Sequence, residues 1–166
     1  MLRNETICAI ATAPGSAAIA MIRVSGPQAF ATVDKIFVPA NKFLKSAEAS
    51  GYTIQYGKIM EGGEIIDEVL VSVFRSPHSY TGEDSVEISC HASQYIQQEV
   101  LKMLVKSGSR LADPGEFTMR AFMNGKMDLS QAEAVADVIA SQSEAAHRLA
   151  FSQLRGGYAT MLQDLR

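Results

Sequence analysis

Apolar and polar residues alternate over several short stretches in the first half of the chain, which is the period of half-buried β-strands. Residues 7–13 and 17–25 form two such stretches, joined by a Pro-Gly-Ser turn. Residues 52–56 and 69–73 alternate in the same way on either side of the turn-forming residues 61–64. Each pair of stretches therefore predicts a β-hairpin.

A further strand is predicted over residues 85–90, after a polar loop. Val86, Ile88 and Cys90 share one face of that strand, so Glu87 lies on the opposite face. A carboxylate on a rigid strand beside a loop is well placed to contact a ligand. The alternative is that Glu87 simply faces water.

Two segments have the spacing of amphipathic helices, 28–37 and 92–107, and Gly108 ends the second. The polar residues 38–50 between the first helix and the next strand lack a period and predict a loop. The residues expected to face inward from the second helix are Ile96, Val100, Met103 and Leu104.

Another helix is predicted to start at Asp113, with Asp113 as N-cap, Pro114 at the first helical position and Glu116 reaching back to the cap. Asn124-Gly125 supplies the left-handed residue that ends it. Lys126 is therefore expected just beyond the helix end.

A second, longer helix is predicted to run to Ala150. Its start is either Asp128 with Gln131, or the competing capping box of Ser130 with Glu133. Small side chains share one stripe of it, which is typical of a helix in a bundle. The stripe consists of Ala132, Ala136, Ile139, Ser143, Ala146 and Ala150.

The order of these elements predicts an α+β fold, a mainly antiparallel sheet with helices packed on it, followed by an α-helical segment. The residues after 157 have the pattern of one more helix start. We therefore expect this chain to be part of something longer.

Composition limits the classes of function. Net charge is −3 and no run of basic residues occurs, so the chain lacks a broad surface for non-specific binding to polyanions. Its two cysteines, Cys8 and Cys90, are too few for a zinc array or a disulfide framework and fit a reducing compartment. No apolar run approaches the roughly 20 residues of a membrane span. A cytoplasmic protein without membrane contact is predicted.

Candidate chemistry is sparse. Arg23 ends a largely apolar strand face, where its planar fork of donors suits a carboxylate or a ring edge, unless it merely extends its charge into water. Cys90 and His91 are neighbours on a strand and point to opposite faces, which disfavours a catalytic cysteine. Neither Gly57-Lys58 nor Gly125-Lys126 has the preceding glycine and following Ser or Thr of a phosphate-binding loop.

Several motifs in this order resemble the N-terminal part of a family of tRNA modification GTPases called MnmE or TrmE. One departure is Ala92-Ser93, where many members have glycines, so a left-handed turn there would be strained. The motifs are APG at 13–15, RVSG at 23–26, SYTGEDSVE at 79–87, CH at 90–91, PGEF at 114–117, RAF at 120–122, NGKMDL at 124–129 and QAEA at 131–134.

The resemblance implies two domains. Residues 1–122 would be an N-terminal tetrahydrofolate-binding and dimerisation domain, similar to the folate-binding domain of aminomethyltransferases. Residues 123–166 would begin a central helical domain, with the GTPase domain absent from this chain. The family's folate-binding positions fall on Arg23, Glu87 and Lys126, and the ligand would be a reduced folate, 5-formyl- or methylene-tetrahydrofolate. No catalytic residue and no metal site are expected in this segment.

The resemblance also implies a parent activity. Such a protein forms a homodimer and works with the flavoprotein MnmG to add a carboxymethylaminomethyl-type group to C5 of the wobble uridine of certain tRNAs. GTP, Mg²⁺ and K⁺ would be bound only by the absent GTPase domain. Two alternatives remain: an assembly module without a functional folate site, and a stand-alone one-carbon transferase whose candidate acids and bases are Glu83, Asp84 and Glu87.

Overall fold

The structure is a computed structural model that describes residues 5–41 and 48–156. The chain divides into two compact units, Met1–Pro114 and Gly115–Arg166. The domain boundary after residue 122 stays a prediction. The expected helix start beyond residue 157 lies outside the described residues.

A mixed, mostly antiparallel sheet forms the first unit. In the described part of the chain it has seven strands in the order β3-β4-β5-β6-β2-β1-β7, and only the pairing of β7 with β1 is parallel. This confirms the α+β class. The strands are β1 (Ile7–Ile10), β2 (Ile19–Ser25), β3 (Phe37–Pro39), β4 (Thr53–Glu61), β5 (Glu64–Phe74), β6 (Ser85–His91) and β7 (Arg110–Leu111).

Two helices of this unit, α1 (Ala29–Val33) and α2 (Gln94–Lys106), pack on one face of the sheet, here called the covered face. Every second residue of the central strands is buried there, as the two-residue period of a strand requires. The alternate residues make up the outer face. The strand residues buried on the covered face include Ala20, Ile22, Val24, Val69, Val71, Val73, Val86, Ile88 and Cys90.

Both predicted hairpins are confirmed. β1 pairs with β2, and β4 pairs with β5. The strand over 85–90 and the helix that follows it are confirmed as β6 and α2, with Val100, Met103 and Leu104 buried. Gly108 follows that helix at φ 115°, a conformation that glycine adopts without strain.

The prediction for residues 28–50 was partly wrong. The helix ends at Val33, and Phe37 opens the edge strand β3, which pairs with β4. The close approach of β3 to β4 depends on Gly57, because a Cβ there would lie 2.4 Å from the carbonyl oxygen of Val38. A pairing between distant segments thus replaces the local helical pattern. Part of the predicted loop, 42–47, lies outside the described residues.

In the second unit the predicted start of the first helix was wrong. Helix α3 (Glu116–Met123) is preceded by Gly115 in a left-handed conformation, φ 75°, so the helix cannot extend back to Asp113. Glu116 is buried within the first turn of the helix. Its Oε1 accepts a hydrogen bond of 3.1 Å from Nη2 of Arg120, one turn later in the same helix.

The end of α3 is as predicted. Gly125 is left-handed, and the backbone N–H of Lys126 donates to the carbonyl of Ala121 at 2.9 Å. Together with the bond from Gly125 to the carbonyl of Phe122, this is a Schellman motif.

The start of the next helix, α4 (Leu129–Ala140), settles the choice between two caps. Asp128 is the N-cap, and its side chain and that of Gln131 complete a reciprocal capping box.

The prediction of a single long helix to Ala150 was wrong. The chain leaves the helix after Ala140 and enters α5 (Glu144–Leu154), with Ser143 as the new N-cap. The Oγ of Ser143 accepts from the N–H of Ala146 at 3.2 Å, so this serine competes successfully with helical hydrogen bonding. The small-residue stripe is therefore divided between two helices. Across residues 5–41 and 48–156, no helix is long and apolar enough to cross a membrane.

Candidate functional site

Arg23 and Glu87 lie directly opposite each other on β2 and β6 and form an ion pair. Both the Nε and the Nη2 of Arg23 donate to one oxygen of Glu87, Oε1, at 3.0 and 2.8 Å. Their side chains are 21% and 17% exposed, so neither is a freely solvated surface charge. The structure thus brings two of the three predicted site residues into contact.

The second oxygen of Glu87 distinguishes this pair from an ordinary salt bridge. Arginine and carboxylate groups commonly meet through two parallel bonds to two oxygens. Here Oε1 receives both donors, and within the described residues Oε2 has no hydrogen-bond partner. The site therefore presents an available, partly buried acceptor beside a fixed positive charge.

Tyr80 also contacts Arg23. Its ring centroid lies 4.9 Å from the Cζ of Arg23, which is a cation–π contact. From the sequence, Tyr80 belongs to a polar loop and has no predicted role. An aromatic residue among small polar ones was the available signal, but only the fold shows that the loop returns to β2.

A closed ring of hydrogen bonds fixes that loop. The hydroxyl of Ser25 donates to Oε2 of Glu83 at 2.8 Å, so its 2.6 Å bond with Thr81 must have Thr81 as the donor. The backbone N–H of Glu83 in turn donates to the Thr81 hydroxyl at 3.3 Å. Ser25 and Thr81 are fully buried. This ring joins the loop to β2, two residues from Arg23.

Further contacts hold both ends of the loop. The Ser76 N–H donates to Oδ1 of Asp84 at 2.9 Å, and the Ser79 hydroxyl donates to the Glu83 carbonyl at 2.6 Å. The Gly26 N–H donates to the Asp84 carbonyl at 3.0 Å. The polar residues of the SYTGED motif therefore serve mainly to fix the conformation of the loop.

The ion pair is the centre of a straight row across the outer face. Strand register places Ile54, Ser72, Glu87, Arg23 and Ala9 side by side on β4, β5, β6, β2 and β1. Large exposed apolar side chains lie at the β4 end of this row and beside it on the same face, so an apolar surface lies next to the charged pair. They are Tyr52, Ile54, Tyr56 and Leu70.

The third predicted site residue, Lys126, belongs to the second unit. It lies three residues after the end of α3, and the Schellman motif fixes its backbone. Its side chain is exposed. Its part in a common site with Arg23 and Glu87 stays a prediction.

The thiol of Cys90 is structural. It is buried on the covered face, and burial, reinforced by the negative charge of Asp67, raises its pKa to about 11. The ring of His91 contacts Asp67, with Nδ1 2.7 Å from Oδ1. Because the imidazole is engaged by Asp67 and the thiol is protonated, the two do not form a nucleophile and base, as predicted.

The departure at Ala92-Ser93 causes no left-handed strain. Tyr52 is the sole non-glycine residue with positive φ in the described part of the chain, and Ser93 has φ −63°. Extended backbone leads into α2 at this point, so glycine is not required.

Comparison with known proteins supports the family suggested by the motifs. The model of the family "GTP-binding protein TrmE N-terminus" matches residues 6–126. A tRNA modification GTPase MnmE from Bacteroides thetaiotaomicron is 61% identical over 165 residues, which is 99% of this chain and 35% of that protein. Proteins of the same name are 61% identical in Parabacteroides distasonis and 50% identical in Flavobacterium johnsoniae, over 98% and 100% of this chain.

The chain spans about a third, 35%, of the length of these curated relatives. The matched residues contain the whole sheet, the ion pair and the loop that carries Tyr80. By sequence and by these matches, the chain belongs to the MnmE (TrmE) family of tRNA modification GTPases and corresponds to its N-terminal part.

Proposed function

We propose that this chain binds a reduced folate on the outer face of its sheet, as part of a GTPase that modifies tRNA. The observation that carries the proposal is the half-buried pair of Arg23 and Glu87, in which one carboxylate oxygen is available beside a fixed guanidinium. A partly buried ion pair contributes little to folding by itself, which favours a role in binding over a purely structural one.

The chemistry of these residues fits a pterin ring. A pterin presents adjacent N–H donors, which a carboxylate accepts, and a carbonyl edge, which a guanidinium can meet. Glu87 and Arg23 supply both kinds of group side by side, and Tyr80 adds an aromatic face. Lys126 is proposed as a further cation for the anionic parts of the ligand. When bound, the folate would supply a one-carbon unit.

The wider context is proposed from the family. The domain of residues 1–122 would resemble the folate-binding domain of aminomethyltransferases, and 123–166 would begin the helical domain. The whole protein would act in the cytoplasm with the flavoprotein MnmG to add a carboxymethylaminomethyl-type group to C5 of the wobble uridine of certain tRNAs. GTP, Mg²⁺ and K⁺ would bind to a GTPase domain outside this chain.

Homodimerisation through the first unit is part of the proposal. Exposed apolar residues on the outer face, Tyr56 opposite Leu70 and Ile54 beside them, form a continuous apolar patch next to the ion pair. Contiguous apolar surface of this kind typically marks an interface. A second copy on this patch would also reduce the exposure of the folate site.

Calorimetric titration of the purified chain with 5-formyltetrahydrofolate tests the proposal. We expect saturable binding that both Arg23→Ala and Glu87→Ala abolish or strongly weaken. The matched control is Glu68→Ala, which removes a carboxylate from an exposed ion pair with Lys58 on the same sheet. Equal binding by all three variants, each shown to be folded, would refute the site.

The second candidate, an assembly module without a folate site, is favoured by the apolar patch alone. It predicts a dimer in solution whose thermal stability does not change with folate. Ultracentrifugation and thermal melts with and without the ligand separate the two. A dimer that binds no folate would leave assembly as the function of this chain. Stabilisation by folate would exclude the hypothesis of an assembly module without a folate site.

A further inference from the structure

The way Arg23 meets Glu87 requires an explanation. Two donors of one guanidinium converge on a single oxygen, although a parallel arrangement on both oxygens is the geometry that such pairs commonly adopt. If Arg23 turned to that arrangement, one of its donors would take up an acceptor position on Oε2, which the present arrangement leaves entirely to the proposed ligand. Something must therefore bias the guanidinium toward the one-sided contact.

The ring of Tyr80 is in position to do so. Its ring lies against the guanidinium, with 4.9 Å between the ring centroid and Cζ. A cation over an aromatic face is attracted to it, and a planar guanidinium can also stack there. This contact restrains the orientation of the Arg23 guanidinium plane from the side of the loop, and Glu87 restrains it from the side of β6.

Tyr80 can restrain Arg23 only if its own loop is rigid. The residue after it, Thr81, is fully buried and bonds to Ser25 on β2. The residue before it, Ser79, bonds to the carbonyl of Glu83 within the loop. Tyr80 is thus held on both sides by hydroxyl hydrogen bonds, one of them anchored two residues from Arg23 along the same strand.

We propose that Tyr80 is a positioning residue for the ligand site: its ring holds the Arg23 guanidinium on Oε1 of Glu87 and so keeps Oε2 available to an N–H donor of the ligand. The buried ring of Ser25, Thr81 and Glu83 fixes the place of Tyr80. As far as the ligand is concerned, this inference rests on the proposed folate function, but the placement of Arg23 can be measured without any ligand.

The test compares Tyr80→Leu, which removes the aromatic face, with Tyr80→Phe, which keeps it. Tyr95→Leu is the matched control, since Tyr95 is an exposed tyrosine on α2. The first measurement, on ligand-free protein, is the NMR signal of the Arg23 Nε–H, identified by its loss in Arg23→Lys. The second is the dissociation constant for 5-formyltetrahydrofolate.

We expect Tyr80→Leu to shift the Arg23 Nε–H signal and to speed its exchange with water, because the ring current and the restraint are both lost. Tyr80→Phe should keep the wild-type signal, and Tyr95→Leu should not change it. Folate affinity should fall roughly five- to tenfold in Tyr80→Leu and stay within about twofold in Tyr80→Phe, as expected for one cation–π contact.

The outcomes separate the two proposals. An unchanged Arg23 signal in Tyr80→Leu overturns the positioning role whether or not folate binds. If the signal shifts in Tyr80→Leu but the wild-type chain binds no folate, Tyr80 does restrain Arg23 and the proposed folate site is refuted. Loss of affinity in both Tyr80→Leu and Tyr80→Phe would also overturn the inference, because the hydroxyl rather than the ring would then be responsible.

Discussion

The two faces of the same strands have different tasks. On β2 and β6, residues such as Ile22, Val24 and Ile88 are fully buried against α1 and α2. The residues between them, Arg23 and Glu87, form the ion pair on the outer face. The covered face stabilises the fold through the apolar area that it buries, whereas the outer face presents polar groups to a ligand. Substitutions on the covered face should therefore lower the free energy of unfolding, and substitutions on the outer face should weaken ligand binding.

The largest effect is expected on the covered face. Ile22→Ala should lower the free energy of unfolding by about 2–5 kcal/mol, because it removes a fully buried side chain and leaves a cavity. Ile19→Ala makes the same change on the same strand at a position that is 64% exposed, and should cost less than about 0.5 kcal/mol. Urea unfolding of both variants measures the difference, and equal losses would contradict the assignment of faces.

On the outer face, Glu87→Gln should impair the ligand site more than the fold. Replacing one charged acceptor by a neutral amide should weaken folate binding by roughly 10- to 100-fold, since hydrogen bonds to charged groups are worth about 1.5–3 kcal/mol. Its loss of unfolding free energy should be clearly smaller than that of Ile22→Ala. Calorimetry and urea unfolding of one preparation give both values. If Glu87→Gln strongly lowered the free energy of unfolding but still bound folate normally, Glu87 would serve the fold rather than the ligand site.

Gly57 tests how tightly the edge of the sheet is packed. In Gly57→Ala the new Cβ would meet the Val38 carbonyl at 2.4 Å and the Phe37 ring at 2.5 Å, so β3 must shift. We expect a loss of about 1–3 kcal/mol, which is typical of overpacking. Gly51→Ala is the control, because its Cβ would meet only ordinary contacts of 3.6 Å or more with Arg75. Similar melting temperatures for the two variants would show that β3 is not held in this position.

The last prediction concerns the pH dependence contributed by Cys90, an effect that appears only above about pH 9. Its pKa rises from 9.0 to about 11 on folding, because the buried thiolate is disfavoured. A group whose pKa is raised in the folded state contributes stability below the unfolded pKa and loses it as pH rises through the folded value. The stability difference between the native chain and Cys90→Ala should therefore be constant below about pH 9 and move against the native chain between pH 9 and about 11.

Thermal melts across that range measure this difference. A constant difference up to pH 11 would mean that the thiol is not desolvated as its position on the covered face requires.

Local sequence signals predicted most of the elements correctly. Alternation identified both hairpins and β6, the Asn124-Gly125 pair predicted the end of α3, and Asp128 with Gln131 predicted the start of α4. Each of these signals acts over a few residues, through a hydrogen bond or a backbone conformation that the residue type itself favours. Such signals do not depend on what the rest of the chain does.

Two of the wrong predictions, at Phe37 and Ser143, followed from periodic patterns. Phe37 was assigned to a helix because its spacing from Phe30 and Val33 fits one, but pairing with Ile59 on β4 makes it a strand residue. The prediction of one long helix was wrong at Ser143. This residue belongs to the small-residue stripe, but its side chain caps a new helix. In both places a periodic pattern was compatible with two structures. Strand pairing selected the structure at Phe37, and a local capping hydrogen bond selected it at Ser143.

For the site, the sequence by itself determined that Arg23 and Glu87 each point away from one apolar face of their strands, and that Cys90 cannot pair with His91. These follow from the two-residue period of a strand. Only the tertiary structure decided that β2 pairs with β6 in the register that opposes Arg23 to Glu87, and that a loop returns to place Tyr80 against the guanidinium. Strand order and register are set by the burial of the whole covered face, a property of all the strands together that no single segment of the sequence contains.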